Sequence, residues 1–513
     1  MSLTFLGTSC ELDLEPKNAV PEHEALRTSA DCDAWVVGIY NAFTSGALYN
    51  GYLTLLPDIQ ADMAYAAKTN TGYYTRFYQW NFSSTSDELI SVYGSLYNIV
   101  SLCNFFFDYK EQVEANLKAN EKDNFKKRLG EVYFARAFAY ADLIRIFCEA
   151  YNSDIADKED MGICLPETYQ DATPMVRRST LRESYEQVLS DLKNAEENLP
   201  DARTVADTPY FSKGAVNALR ARVCLYMGMG DLVRKPATDS DEYKSLKASV
   251  DAASKVIKTG AYELSDAVNP AYNIGGVTYS DYQVMWKFDA SDEIIWKIAK
   301  SVNNGGASLG RSLINYINGA GYAPQFHFAE AILNLYEDGD YRASTFSQEQ
   351  ADVNGDNVFL ITKYPGNPDL DGGDTKRWLN MPKPLRLSEV YLVRAEANYW
   401  LGNEEDAQKD LAAVKRKRIK GFGGIGAAGE ELLKEIQNER AREMCMEGFR
   451  LSDLKRWRKD VKRKEQLYAI DGANNSQLEV KTTDRKYRFM TWPIPKHEIE
   501  ATNGLVVGNA SNY

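Results

Sequence analysis

The carboxylates whose spacing best suits chemistry lie in NERAREMCMEGFRLSDLKRW, residues 438–457. Glu439, Glu443 and Glu447 recur every fourth residue, so a helix would align them on one face, where carboxylates can act as general acid and base. An acid catalyst needs a carboxyl group with a raised pKa, whereas neighbouring arginines lower that pKa. The arginines of this segment are Arg440, Arg442, Arg450 and Arg456. The segment therefore predicts a structural ion-pair network in preference to acid–base catalysis.

Asp58 and Asp62 are the one acidic pair beside an irregular segment that we would test for glycoside hydrolysis. That reaction needs two facing carboxyl groups about 5–10 Å apart in a cleft. No GxSxG, HExxH or Cys/His arrangement occurs elsewhere in the sequence. The residues alone therefore offer one acidic pair to test and no catalytic motif.

Asp352, Asn354 and Asp356 stand at positions 1, 3 and 5 of a segment that begins like a calcium-binding loop. Asn357 replaces the turn glycine of such a loop, and Lys363 replaces its bidentate glutamate. A polar turn is favoured, with calcium binding as the weaker alternative.

Two glycine-rich stretches resemble phosphate-binding loops in spacing only. GFGGIG (421–426) follows a basic helix where the dinucleotide motif requires a strand. GGASLGRS (305–312) has Arg311 in place of the P-loop lysine, and no buried strand precedes it. Both stretches are interpreted as loops.

The composition excludes several classes of protein. Hydrophobic residues make up 44% of the 513 residues, and the formal net charge is −13, which argues against a general nucleic-acid binder. The seven cysteines form no CxxC pair and only three histidines are present, so a structural zinc site is not expected. No stretch approaches 18 consecutive apolar residues, so we expect no membrane-spanning helix after the N-terminus. The basic tracts 415–420 and 455–464 are interpreted as solvated helix faces.

The N-terminal sequence MSLTFLGTSC suggests the end of a secretory signal. Leu3, Phe5 and Leu6 form a short apolar run without a preceding Lys or Arg, and small residues follow it. Cys10 would then be the acylated cysteine of a bacterial lipoprotein. A frayed terminus with an ordinary cysteine is the alternative.

Helical periodicity dominates the rest of the chain. Residues 387–401 predict a helix that Gly402 ends, and Asn403 caps a second helix over 404–418. The spacing of Ala395, Gly402 and Ala407 is that of a tetratricopeptide hairpin. The same design recurs in two further helix pairs, 130–147 with 179–200 and 212–231 with 241–260. Ser179 and Glu183 resemble a capping pair at the start of the helix over 179–200. A further helix is predicted over 86–108. A mostly α-helical fold with about four helix pairs and a few short strands is therefore expected.

Two long segments, 57–85 and 265–325, do not follow the helical pattern. They are rich in Tyr, Asn, Ser, Thr and Gly, and residues 292–299 predict a short strand. Insertions on a rigid scaffold commonly carry binding residues, so function is expected there.

Together these blocks resemble the SusD-like (RagB/SusD) outer-membrane nutrient-binding lipoproteins of Bacteroidota. The resemblance rests on FARAFAYADLIRIF, FSKGAVNALRARVCLYMG, LRLSEVYLVRAEANYWLGN, NERAREMCMEGFRLSDLKRW and the closing WPIPKHEIEATNGLVVGNASNY. It implies a lipid anchor at Cys10, location at the cell surface, docking on a SusC-like TonB-dependent transporter and capture of glycan. It also implies no enzymatic activity and no cofactor. The expected organisation is a residual signal (1–9), a tail (10–35) and a single helical domain (36–513).

Both insertions supply the side chains that sugars require. Sugar rings lie on aromatic faces, and their hydroxyl groups bind amides, carboxylates and Arg. The candidate ligand-binding residues are Tyr65, Asn70, Tyr73, Tyr74, Arg76, Trp80, Trp286, Asn303, Asn304, Tyr316 and Tyr322. The alternative for several of them, Trp80 and Trp286 especially, is packing of the insertions onto the helices. A tetratricopeptide scaffold for protein partners, or a binder of another nutrient such as peptide, remains open.

Overall fold

The computed structural model describes residues 24–169, 176–199, 205–303, 308–317, 319–373, 378–472 and 475–513. Over these residues the chain is mainly helical with short strands, which confirms the expected fold class. The α-helices are α1 (Ser29–Ala42), α2 (Tyr52–Gln60), α3 (Thr75–Tyr78), α4 (Asp87–Asn116), α5 (Lys122–Phe147), α6 (Ser153–Ala156), α7 (Leu181–Asn198), α8 (Lys213–Gly228), α9 (Asp241–Lys258), α10 (Asp281–Lys287), α11 (Leu309–Leu313), α12 (Glu330–Leu333), α13 (Tyr341–Phe346), α14 (Leu387–Leu401), α15 (Glu404–Arg416), α16 (Gly429–Met444), α17 (Arg450–Arg456) and α18 (Lys496–Ala501). The strands are β1 (Ala64–Ala66), β2 (Pro270–Ile274), β3 (Val277–Ser280), β4 (Ile294–Trp296), β5 (Tyr316–Ile317), β6 (Gly321–Tyr322), β7 (Phe326–Phe328), β8 (Ser347–Ala351), β9 (Asn357–Ile361), β10 (Leu385–Arg386), β11 (Val461–Arg463) and β12 (Leu478–Val480).

Four packed helix pairs form the scaffold: α1 with α4, α5 with α7, α8 with α9, and α14 with α15. Successive pairs also pack on one another, because α4 contacts α5, α7 contacts α8, and α9 contacts α14. The helix pairs predicted from periodicity are therefore confirmed. Packing begins within the segment expected to be a tail, since α1 starts at Ser29 and buries Cys32, Val36 and Ile39.

Local sequence explains where these helices end and how closely they approach. Gly402 ends α14 in the left-handed region, with φ of 82°. A Cβ atom at Gly228 would lie 2.6 Å from Leu246 Cγ, so glycine permits the close approach of α8 and α9. Two predicted caps differ from the structure. Thr180, one residue after the predicted Ser179, forms the capping box of α7 with Glu183, and the Asn403 side chain makes no capping hydrogen bond.

Among the described helices, α4 alone is long and apolar enough to cross a membrane by length and composition. It packs on α1 and α5, and its apolar residues Leu89, Val92, Leu96 and Ile99 are buried. Helix α4 is therefore explained as a core helix of the scaffold.

Residues of both insertions and of the segment 326–361 contribute to a second, smaller core. Strand β1 from the first insertion joins an antiparallel sheet of order β1-β7-β9-β8, in which Tyr65 pairs with His327, and His327 with Leu360. The predicted strand at 292–299 is confirmed as β4, which pairs with β10. Strand β1 of the first insertion and the segment 326–361 thus form a sheet layer beside the helical scaffold.

A buried ion-pair network lies between the two layers. Five buried carboxylates, Asp340, Glu293, Glu439, Glu443 and Glu447, meet five buried cations, Arg342, Arg386, Arg418, Arg442 and Lys363. Burial by itself raises the pKa of Glu439, but Arg342 and Arg442 overcome this effect and lower the pKa to about 2. The prediction of a structural network in place of an acid catalyst is confirmed.

The interpretation of the basic tracts as solvated faces is wrong at five positions. Lys415, Arg418, Lys455, Arg456 and Arg463 are buried, and each finds an acceptor. Arg463 donates to the Tyr78 carbonyl oxygen. Lys415 pairs with Glu337 and Glu435, Arg418 with Glu443 and Glu293, and Arg456 with Glu396, while Lys455 donates to the carbonyl oxygens of Arg145 and Cys148. These side chains hold the core together and are unavailable to a polyanion.

Candidate functional site

Two hollows lie on either side of Tyr73 and Tyr74, which line both of them. The first hollow has a volume of about 460 Å³ and is bounded by the segment at Asn50 and Gly51, the Thr71–Tyr74 loop and helix α11. The second hollow, of about 550 Å³, lies between residues 45–47 and helix α4. We call the two hollows and the tyrosines between them the groove. The first hollow of the groove brings residues of the first and second insertions together.

The loop that carries Tyr73 is fixed mainly through backbone groups. Its start is held by Ala67 N–H donating to the Gln325 carbonyl (3.0 Å) and Lys68 N–H donating to the Tyr468 carbonyl (2.9 Å). Asn70 Nδ2 donates to the carbonyl oxygens of Tyr73 (3.1 Å) and Gln325 (2.9 Å), and its Oδ1 accepts from Gly72 N–H (2.7 Å). Asn70 is buried, so this candidate positions Tyr73 from below the surface of the groove.

Tyr73 and Tyr74 form the aromatic wall. The Tyr73 side chain is 53% exposed, and its ring lies edge-on to Tyr74 at 4.7 Å between ring centroids. Tyr74 is held from behind by Tyr52 at 5.6 Å and Phe326 at 6.3 Å. The φ of Tyr74 is 56°, a left-handed conformation that a bulky residue adopts at an energetic cost, and such strain often occurs at binding sites. Burial raises the pKa of Tyr74 far above neutral pH, so its hydroxyl group stays protonated and can donate a hydrogen bond.

The first hollow presents polar side chains around one arginine. Ser312, Asn315, Thr71 and Gln325 line it together with Arg311. Helix α11, which carries Arg311, is fixed at its start because Ser308 Oγ accepts from Arg311 N–H (3.2 Å) and donates to the Trp378 carbonyl (2.8 Å). The hollow therefore has a rigid polar wall that carries a cation.

The second hollow faces small residues of α4. Ser91, Gly94 and Ser95 lie on one helical face, and Ser45 Oγ is 3.2 Å from Ser95 Oγ. A Cβ atom at Gly94 would meet no atom within 4 Å, so this face is open. Glu88 lies one turn earlier on α4, and its Oε2 has no hydrogen-bond partner among the described residues. This hollow offers hydroxyl groups and close access to the helix surface.

The remaining aromatic candidates divide by burial. Tyr65, Trp80 and Trp286 are buried. The Trp80 indole N–H donates to the Gln60 carbonyl oxygen (2.7 Å). Trp286 is 1% exposed, and its ring centroid lies 4.5 Å from Lys363 Nζ and 5.1 Å from Lys383 Nζ. These three side chains have no face free for a ligand, so they are corrected to packing residues of the insertions.

Other candidates are accessible but differ in position. Tyr316 and Tyr322 pair across the β5–β6 hairpin, with ring centroids 5.1 Å apart, next to Asn315 of the first hollow. Arg76 and Asn303 are exposed but line neither hollow. Asn304 lies outside the described residues, as does Cys10. The described groove residues missed from the sequence are Ser45, Gly46, Ala47, Asn50, Gly51, Tyr52, Leu55, Thr71, Ser91, Gly94, Ser95, Ser308, Arg311, Ser312, Asn315 and Gln325.

The calcium candidates form a closed polar turn. Asp352 Oδ1 accepts from the backbone N–H groups of Asn354 (2.8 Å) and Asp356 (3.0 Å), and Asp356 pairs with Lys68 (3.0 Å). Across the described ranges, no group of three or more His, Cys, Asp or Glu residues is arranged to hold a metal ion. The geometry is that of the favoured polar turn.

The acidic pair considered for hydrolysis is occupied by structural contacts. Asp58 is buried and accepts from the N–H groups of Gly448 (3.2 Å) and Arg450 (2.9 Å), and burial raises its pKa to about 7. Asp62 is held by two hydrogen bonds from Arg450, each of 2.7 Å. Neither hollow has a carboxylate among its described lining residues. This arrangement suits binding and lacks the facing acids of a glycosidase.

Comparison with known proteins places this architecture in a family. Residues 336–513 match the model of the SusD family, and residues 12–225 match a SusD-like model described as "starch-binding associating with outer membrane". The chain belongs to the SusD-like family. The resemblance seen in the sequence blocks is thereby confirmed. The family consists of binding proteins, and its description associates it with the outer membrane.

Relatives of this SusD-like chain are similar over nearly their whole length. The SusD-like protein P2 of Formosa agariphila is 22% identical, and the match covers 99% of this chain and 97% of the relative. A SusD superfamily protein of Bacteroides thetaiotaomicron and a putative sugar-binding protein of Bacteroides vulgatus each superpose with a TM-score of 0.75 at 22% identity. Each of these superpositions covers 94% of this chain and 99% of the other. At this identity the solved structures establish the shared fold.

Proposed function

We propose that this SusD-like protein binds glycan chains at the cell surface, in the groove around Tyr73 and Tyr74. One observation carries the proposal: an exposed tyrosine forms the wall between two polar hollows, of about 460 and 550 Å³. Sugars combine apolar ring faces with many hydroxyl groups, and the groove offers aromatic rings beside serine, asparagine, glutamine and threonine. The description of the family as starch-binding supports the same ligand class.

In the proposed pathway, the protein passes glycan to a SusC-like TonB-dependent transporter. Cys10 would carry the lipid anchor, after removal of residues 1–9, and the part of the predicted tail that precedes α1 would connect it to the packed domain. These steps rest on the family and on the sequence motif at Cys10. Docking through scaffold helices that do not line the groove, such as α14 and α15, would leave the groove accessible.

The proposal is tested by glycan-array screening, followed by calorimetry with the glycan identified. Loss of one stacking ring costs on the order of 1–2 kcal/mol, which is about tenfold in affinity. Tyr73→Ala should therefore weaken binding about tenfold, without a change in melting temperature, because the ring is more than half exposed. Tyr73→Phe should retain most of the affinity if stacking dominates.

Tyr272→Ala is the matched control, because Tyr272 is 45% exposed on the β2–β3 hairpin and lines neither hollow. Trp400→Ala should have the opposite effect to Tyr73→Ala, because Trp400 is buried on the scaffold helix α14. It should reduce stability or transporter docking and leave glycan affinity unchanged. Normal binding by Tyr73→Ala together with ligand loss in Trp400→Ala would place the site on the helical scaffold and refute the proposal.

A further inference from the structure

The first hollow has one charged group among its described lining residues, the guanidinium of Arg311. All other described lining residues are neutral, and the side chain of Arg311 is exposed to solvent. A ligand in this hollow therefore meets a positive charge that no carboxylate of the described lining neutralises.

Arg311 differs from nearly all other arginines of the protein. Among the described arginines, only Arg76, Arg311 and Arg416 make no hydrogen bond, ion pair or ring contact through their side chains, and of these only Arg311 lines a hollow. The chain contains 73 acidic residues against 60 Lys and Arg, so carboxylate partners are abundant. Among the described arginines, Arg311 is thus the one that combines a free guanidinium with a place in a hollow.

The base of Arg311 is rigid although its tip is free. Gly310 packs so closely that a Cβ atom would lie 2.3 Å from the Tyr364 carbonyl oxygen, and Gln325 N–H donates to the Ser312 carbonyl (2.8 Å). Ser308 caps the same turn through Arg311 N–H. The backbone therefore presents the guanidinium to the hollow without having to order on binding, which favours affinity.

We propose that the first hollow receives a sugar unit carrying an anionic group, a carboxylate or a sulfate ester, and that this group pairs with Arg311. The inference rests on the proposed glycan-binding function and narrows its ligand class to acidic glycans. Guanidinium groups bind planar oxyanions through two parallel hydrogen bonds, which are stronger than hydrogen bonds between neutral groups. Asn315 and Ser312 lie within the same lining and supply partners for the hydroxyl groups of the sugar.

The test compares each acidic oligosaccharide with its own neutral form by calorimetry. One arm uses oligogalacturonides and their carboxyl-reduced counterparts, and the other uses a sulfated galactan oligosaccharide and its desulfated counterpart. Wild-type protein should bind at least one acidic form about tenfold more tightly than the matched neutral form, as expected for one charge-assisted pair at a partly exposed site. The arm that shows the preference identifies the anion as carboxylate or sulfate ester. Added salt should reduce the preference, since exposed charge pairs are screened.

Three variants assign the preference to its residue. Arg311→Gln should abolish the preference, because it should weaken binding of the acidic form far more than binding of the neutral form, and Arg311→Lys should retain part of the preference. Arg416→Gln is the matched control, because Arg416 is also exposed and unpartnered among the described residues but lies on the scaffold helix α15.

Two results would overturn the inference while leaving the proposed function in place: equal binding of acidic and neutral forms by wild type, or a preference that persists in Arg311→Gln. Failure of the wild type to bind any glycan, or binding of acidic peptides alone, would overturn the proposed function as well. Tyr73→Ala, measured in parallel, separates these cases because it tests the groove without changing its charge.

Discussion

Replacing Glu447 by Ala tests how the two layers of the fold are joined. The Glu447 carboxylate accepts from Lys363 Nζ at 2.6 Å, and from Arg386 at 2.6 Å and 3.0 Å. After its removal, five buried cations would face four carboxylates. Arg386 would keep Glu293 and Glu443 as partners, whereas Lys363 would keep only the carbonyl oxygens of Glu443 and Cys445.

The cost follows from the burial of Lys363, whose side chain is fully enclosed. Breaking a buried ion pair by deleting one partner typically costs about 3–5 kcal/mol, because the other charge is left unpaired away from water. Glu447→Ala should therefore lower the free energy of unfolding by about that amount. The assay is urea denaturation followed by circular dichroism, with melting temperature as a second measurement.

A second substitution and a surface pair serve as controls. Lys363→Met in the Glu447→Ala protein removes the stranded charge with a side chain of similar length, so it should recover part of the loss. Asp251→Ala removes an exposed ion pair with Lys247 on α9 and should cost no more than about 0.5 kcal/mol. If Glu447→Ala were as stable as Asp251→Ala, the network would not carry the stability assigned to it. Unchanged stability with lost glycan binding would instead make Glu447 part of the binding site.

Three further predictions concern the groove, pH and the anchor. Gly94→Leu should fill the second hollow and reduce glycan binding, while it raises helix stability by up to about 1 kcal/mol. Gly38→Leu on α1 is the control and should raise stability without affecting binding. Equal binding by both variants would contradict the role of this hollow. Burial lowers the pKa of His327 from 6.5 to about 4. As pH falls from 6.5 to 4, the free energy of unfolding of the wild type should therefore fall by up to about 3 kcal/mol relative to that of His327→Phe. A difference in stability that does not vary with pH would refute this reasoning. With a complete signal peptide, Cys10→Ala should leave the protein unlabelled by palmitate analogues and lost from the outer-membrane fraction; retained labelling would show that another residue is modified.

The helix pairs could be predicted because their signals are local. Gly402 and the apolar spacing around it lie within one short segment, so the hairpin of α14 and α15 follows from neighbouring residues. The acidic row at Glu439, Glu443 and Glu447 was likewise predictable, since helical spacing and adjacent arginines are both visible in the sequence. Such features depend little on distant parts of the chain.

The groove was only partly predictable because burial in an insertion depends on long-range packing. Tyr73 and Trp286 both lie in segments rich in polar residues, yet one is exposed and the other is enclosed by Lys363, Lys383 and Arg386. The positions of Asn50 and Ser95 in the groove carry no local signal, since they come from a turn and a core helix of the scaffold. Arg311 stood out in the sequence only as a departure from a phosphate-loop pattern.

The way in which the Tyr73 loop is held has a consequence for the evolution of ligand choice. The loop is anchored by backbone groups of Ala67 and Lys68 and by the buried Asn70, none of which involves the Tyr73 ring. Substitutions at position 73 can therefore alter the shape and chemistry of the wall without disturbing the frame that supports it. A lineage with this architecture can acquire a new nutrient by single mutations at the rim, and protein engineers can diversify the same position in a selection for new sugar specificities.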